Sequence, residues 1–281
     1  MTPAPAGQRL LVFQSLWGMR GVANEPLVGQ DLVRGLERIA EAGFDGITID
    51  FVDPGAARET VGLARELGLR WNAQCYPRDP AMLAEALALV AELGAEFVNA
   101  QPNATPFTLA ESVAFLEGLQ EVAVTSPVPV LYETHRDRVT TDLFHTLQLL
   151  DELPWLRLTA DLSHYLVGRE FPFPVSDANH ELIRRITERS DAYHGRVGTR
   201  EQVQVPLFAH HQPWIDLYAG WWKTGFASWR ARSAADAELV FLVELGPPPY
   251  AITGADGQEL SSRWDDALRL RDLVRGLWAE L

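Results

Sequence analysis

Five short segments of the 281-residue chain carry ionisable or amide residues at spacings that could do chemistry. "YETH" holds Glu133 and His135, two residues apart and so on one face of a strand. "TADLSH" holds Asp161 and His164. "YHGRVG" holds His194 and Arg196, again two apart, with Arg200 shortly after. "VELG" holds Glu244. Asn99 and Gln101, in "FVNAQP", repeat the spacing of two with amides. Three carboxylates brought together in a partly desolvated cavity repel one another unless a cation offsets them. Glu133, Asp161 and Glu244 with the imidazole of His194 form three oxygens and one nitrogen, a set suited to one fairly hard divalent ion. Mn2+, Mg2+ or Co2+ fits such a set. Zn2+ is admissible, although it more often recruits further His or Cys.

These segments can meet only if the fold gathers them. Each ends one of eight short apolar runs: "LLVFQSLW", "GITIDFVD", "RWNAQCY", "FVNAQP", "VPVLYETH", "LRLTADLSH", "DAYHGRVG" and "LVFLVELG". Between them lie stretches such as "DPAMLAEALALVAELGAE", with apolar residues at helical spacing. "EAGFD", "ELGLR" and "ELGAE" each place a glycine where a helix would end in a left-handed cap. Alternating strands and helices imply a parallel sheet, and eight units imply a closed (β/α)8 barrel occupying residues 1–281 as one domain, with 1–8 as a tail. An open doubly wound sheet is the rival, but neither a GxGxxG loop nor a P-loop is present. In a barrel the chemistry gathers at the C-terminal ends of the strands. Trp17, at the end of the first run, and Gln101 then stand beside the ionisable set as candidate substrate contacts.

Composition narrows the function. With 47% hydrophobic residues the chain reads as globular, and no apolar run is long enough to span a bilayer. A net charge of -14 without a basic patch disfavours a nucleic-acid partner. One cysteine excludes an intramolecular disulfide, and "MTPAPAGQ" lacks the features of a signal peptide, so a cytoplasmic protein is expected.

The order and strand placement of Glu133, Asp161, His194 and Glu244 resemble the xylose isomerase-like superfamily of TIM barrels, which includes sugar phosphate isomerases and epimerases. The resemblance implies that these four residues hold the metal. The D-x-x-H spacing resembles that of the ketohexose 3-epimerases, and implies that His164 binds substrate. Arg200, six residues after His194, matches a substrate-binding arginine of those enzymes. It further implies that Glu133 and Glu244 flank the substrate and exchange protons with the carbon beside its carbonyl. One position departs: those epimerases carry a second glutamate where this chain has Val139. His135 and Arg196 are additional candidate substrate contacts.

The expected activity is therefore isomerisation or epimerisation of a sugar or related polyhydroxy carbonyl compound by proton transfer. A lyase, dehydratase or hydrolase on a keto-sugar is the alternative, followed by an endonuclease IV-like repair enzyme and a non-catalytic metal-binding or sensor protein. His145 and His180 fall in expected helices and read as structural. "AHHQPWIDLYAGWWKTGFASW" carries Trp214, Tyr218, Trp221, Trp222 and Trp229. It reads as a packed helix, an aromatic lid over a sugar ring with His210 and His211 at its base, or the contact surface of a homo-oligomer.

Overall fold

The computed structural model describes residues 7–22, 32–51, 53–106 and 108–281; most of the expected 1–8 tail lies outside them. Eight parallel strands close into a barrel in sequence order. They are β1 (Arg9–Ser15), β2 (Gly46–Asp50), β3 (Arg70–Cys75), β4 (Val98–Ala100), β5 (Val130–Glu133), β6 (Leu158–Asp161), β7 (Ser190–Gly195) and β8 (Glu238–Val243). Among the described residues ten α-helices surround them: α1 (Leu16–Met19), α2 (Leu32–Glu41), α3 (Pro54–Glu66), α4 (Pro80–Leu93), α5 (Leu109–Ala123), α6 (Leu143–Glu152), α7 (Ser163–Gly168), α8 (Asp177–Thr187), α9 (Gln212–Arg232) and α10 (Arg263–Ala279). Each of the eight apolar runs overlaps one strand, and β1 pairs with β8 to close the ring.

Local chemistry sets the helix ends. Asp79 accepts from the Met82 amide at the start of α4, with Pro80 in its first turn. Thr108 and Glu111 form a capping box on α5. The glycines of the three expected cap motifs, Gly43, Gly68 and Gly94, have φ of 76°, 71° and 71°. Two apolar layers follow from the alternation of strand side chains. Leu11, Phe13, Phe97, Leu131, Ala192, Val240 and Leu242 form a small plug contributed by strands around the ring. The larger cluster lies between strands and helices and includes Cys75, whose thiol burial pushes up to about 12.

The aromatic segment 214–229 belongs to that outer layer. Tyr218, Trp221, Trp222, Phe226 and Trp229 are buried along α9. Trp222 meets Phe241 of β8 edge to face, with centroids 5.1 Å apart. Gly225 leaves room for Tyr193, whose hydroxyl would lie 2.2 Å from a Cβ added there. Trp214, half-buried at the start of the helix, packs on Phe173. The helix therefore uses most of its aromatic surface inside the chain, and the lid reading is set aside. His210 and His211 pack with Phe208. His145 meets Ser112 Oγ at 2.9 Å, and His180 Nδ1 accepts from Trp221 at 2.9 Å, as structural histidines do. No helix among the described residues is long and apolar enough to cross a membrane.

Candidate active site

At the C-terminal mouth a cavity of about 190 Å³ is lined by Ser15, Trp17, Thr48, Asp50, Gln74, Tyr76, Gln101, His135, Arg138, Arg196, Glu244 and Tyr250. That volume suits a molecule no larger than one monosaccharide. A larger hollow of about 840 Å³ beside α3 and α4 adjoins this cavity at Tyr76, and another of about 540 Å³ lies at the opposite end of the barrel, away from the ionisable cluster.

The floor is built from strand ends. Glu133 closes β5 and is completely buried. Its Oε2 accepts from Gln74 at 3.1 Å, from Gln101 at 3.0 Å and from Asn99 at 2.5 Å. Those amides come from β3, β4 and the residue after β4, so three neighbouring positions on the ring fix one carboxylate oxygen. Its Oε1 has no hydrogen-bond partner. His194, on β7, brings Nδ1 to 3.5 Å from Glu133 Oε1 and 3.2 Å from Glu244 Oε2, yet that nitrogen makes no hydrogen bond. Burial opposes the imidazolium, but the two carboxylates outweigh it and raise His194 to about 10. Burial likewise opposes the Glu133 carboxylate, but His194 beside it holds the group well below the usual carboxylate range.

Glu133, His194 and Glu244 each offer a ligand atom within 4.8 Å of the others. Ligands bonded at about 2.0–2.2 Å to one divalent ion stand about 3 Å apart, so these separations and the unpartnered atoms fit a metal. Asp161 is arranged differently. Its Oδ1 accepts from Ser163, and its Oδ2 lies 3.1 Å from Arg196 Nη2 and 3.3 Å from His164 Nε2. Burial opposes its charge, but Arg196 and His164 hold the carboxyl far below its ordinary range. The same Arg196 nitrogen donates to Glu244 Oε2. A fully buried guanidinium thus stands between two of the expected ligands, while its Nε and Nη1 make no hydrogen bond. Its cationic carbon sits 5.0 Å from the Tyr250 ring and 6.0 Å from that of Trp17. Trp17 can reach this place because Gly246 faces it: a Cβ there would fall 2.4 Å from the indole.

Four expected substrate contacts, Trp17, Gln101, His135 and Arg196, line the cavity together with Glu244, and His164 lies beneath with its ring 4.0 Å from that of His135. Burial, then the neighbouring His164, lowers His135 to about 4. Arg200 is a correction. Thr199 Oγ1 accepts from the amides of Glu201 and Gln202, turning the chain after β7. Arg200 consequently pairs with Glu201 at 2.9 Å, near Glu170, and does not line the cavity.

Asp50 and Tyr76 were the residues whose joint role sequence reading missed. Tyr76 donates to Asp50 Oδ1 at 3.1 Å on the wall, and burial raises the Asp50 carboxyl despite that bond. Asp50 is the last residue of β2, so the rule that located the other groups, reading the polar residue at each strand end, would have found it. Arg138 reaches the wall from the loop after β5, where Nε donates to Gln101 at 3.2 Å.

No protein-family model matches the sequence, and no curated protein matches it. Solved structures do. One is a xylose isomerase-like TIM barrel protein from Mycobacterium smegmatis in complex with magnesium, 13% identical, with a TM-score of 0.61 over 96% of this chain and 97% of that one. A sugar phosphate isomerase/epimerase from Parabacteroides distasonis is 12% identical, with a TM-score of 0.61 over 99% and 96%. A probable 3-DHS dehydratase, AsbF, involved in petrobactin synthesis in Bacillus anthracis, is 12% identical, with a TM-score of 0.58 over 94% and 98%. The likeness is one of fold: the chain is built as a TIM barrel, as these structures are.

Proposed function

We propose that the protein is a divalent-metal-dependent isomerase or epimerase of a small sugar or related polyhydroxy carbonyl compound. The observation that carries this reading is the convergence of Glu133 Oε1, His194 Nδ1 and Glu244 at the floor of a monosaccharide-sized polar cavity, with the first two atoms left without hydrogen bonds. These three residues would hold the ion, with Asp161 as the neighbouring third carboxylate. The oxygen-rich set favours Mn2+, Mg2+ or Co2+. When bound, the ion supplies Lewis-acid polarisation of the substrate carbonyl.

The two glutamates then have different work. Glu133, clamped by three amides and absent from the cavity wall, serves the ion. Glu244 is on the wall and takes the proton from the carbon beside the carbonyl. Asp50, whose carboxyl burial favours in the protonated form, returns a proton with Tyr76 as its partner. His135, Gln101 and Arg138 are placed to hold hydroxyls, and Arg196 to hold an oxygen carrying negative charge. Trp17 and Tyr250 supply an apolar wall for a sugar face.

The test is incubation of the Mn2+-loaded protein with ketoses, aldoses and keto-acids in D2O. Deuterium at the carbon beside the carbonyl is expected. Isomer without deuterium would replace proton transfer by a hydride shift. Loss of water, visible by mass, would make the protein a dehydratase acting through the same groups, with Asp50 protonating the departing hydroxyl. No reaction across the panel would sink the enzyme reading.

A further inference from the structure

We propose that Glu133, His135 and His164 form a second divalent-metal site, suited to Zn2+, Co2+ or Fe2+, that shares Glu133 with the first. The inference does not depend on which reaction the cavity supports. Each of the three residues offers a ligand atom within 4.8 Å of the other two.

The strongest sign is His164. It is 1% exposed, and neither ring nitrogen makes a hydrogen bond. Buried polar atoms are rarely left so, because each forfeits its hydration without recompense. Nε2 faces Asp161 Oδ2 at 3.3 Å, and that oxygen also makes no hydrogen bond. Glu133 Oε1 adds another unpartnered atom. Ligand atoms around an ion look like this, since lone pairs point inward and no proton lies between them.

His135 has the complementary arrangement. Its Nδ1 is 2.5 Å from the Arg136 carbonyl oxygen, so Nδ1 carries the proton and Nε2 keeps its lone pair. A backbone carbonyl fixing the tautomer of an imidazole in this way is the usual support of a metal-binding histidine. The residue is further set by its own amide, which donates to Thr140 Oγ1 at 3.2 Å. That hydroxyl in turn donates to the Glu133 carbonyl oxygen at 2.5 Å. Two ligands of the triad are thus tied to one threonine.

The two triads differ in chemistry. Glu133, His194 and Glu244 present two carboxylates and one imidazole. Glu133, His135 and His164 present two imidazoles and one carboxylate, which is the composition of catalytic zinc sites with an open position. Borderline ions should therefore prefer the second triad, and Mg2+ or Mn2+ the first. Glu133 Oε2 is taken by three amides, so Oε1 is the atom that would serve both sites, as a shared carboxylate does in two-metal centres. His135 lines the cavity, so the second ion would face the substrate.

The test is titration of the chelator-stripped full-length protein with Co2+. It is followed by the visible absorption of bound Co2+ and by metal analysis after gel filtration. Wild type should bind two Co2+ per chain, and His135→Ala and His164→Ala one. Glu244→Gln should retain the absorption that His135→Ala removes. His135 is only half-buried, so its replacement spares the core. If His135→Ala leaves both count and spectrum as in wild type, the second site does not exist, whatever becomes of the first. A wild type that binds one Co2+, lost in His135→Ala and kept in Glu244→Gln, would uphold this site and remove the first. A wild type that binds none overturns both.

Discussion

The two ends of the barrel use the same residue types to opposite effect. At the N-terminal end, Arg70 pairs with Glu96 and Glu238, and Glu238 also accepts from Arg9. Asp191 accepts from Arg157 at 2.6 Å and from Arg232 at 2.8 Å. At the C-terminal end, Glu133 Oε1, Asp161 Oδ2, His194 Nδ1, both nitrogens of His164, and Arg196 Nε and Nη1 are enclosed without hydrogen bonds. Between the two ends sits the apolar plug. Charges satisfied by one another at a partly exposed rim add a little stability and ask for nothing else. Charges and imidazoles enclosed without partners are costly, and a fold keeps them where a ligand completes them.

The contrast yields graded expectations. Glu244→Gln, at the active mouth, should lower kcat by about 10²–10⁴-fold, the usual loss on removing a proton-transfer group. Its melting temperature should stay close to that of wild type; retained turnover would remove Glu244 from the mechanism. Arg196→Met comes next. It leaves Asp161 and Glu244 buried and facing each other, and should destabilise the metal-free protein by about 3–5 kcal/mol in urea unfolding. Added Mn2+ should recover more of that loss than it adds to wild type, because a divalent ion can take over the missing cation's work. Equal stabilisation of both proteins would show that Arg196 and the ion act independently.

The smallest effect belongs to the opposite rim. Glu238→Gln should cost at most about 1 kcal/mol at pH 7. Burial opposes ionisation of Glu238, but Arg70 and Arg9 outweigh it and hold the carboxyl below its ordinary value. A carboxyl lowered by folding stabilises above its unfolded pKa, about 4.3, and loses that contribution as pH falls through the folded value. The difference between wild type and Glu238→Gln should therefore shrink as unfolding is measured from pH 7 toward pH 3. A difference independent of pH would mean that the rim pairs contribute through packing rather than charge.

The barrel was legible because strand and helix periods alternate cleanly, and glycine marked helix ends that the backbone puts at positive φ. The site was legible as a set of strand-end residues, since a spacing of two fixes a shared face. What the sequence could not show was how side chains meet across strands. Arg196 shares its face with His194, but only folding sends its guanidinium between carboxylates of β6 and of the residue after β8. The contact of His135 with His164 joins the loop after β5 to α7 and is equally invisible to spacing. Arg200, expected at the substrate from its spacing after His194, stands off the cavity wall because a hydroxyl-capped turn carries it. The aromatic run on α9 was ambiguous because burial against strands and exposure to a ligand use the same residues at the same helical period.

The amide clamp on Glu133 has a bearing on redesign. Gln74, Asn99 and Gln101 tie the anchoring carboxylate to β3 and to the end of β4, on one side of the mouth. Trp17 and Tyr250 come from α1 and from the loop after β8, on the other side. A mutant library that holds the three amides constant and randomises Trp17 and Tyr250 would vary which molecules enter while the anchor stays where it is. Libraries that spread changes over both sides would mix loss of the anchor with change of selectivity, and most of their inactive members would be uninformative.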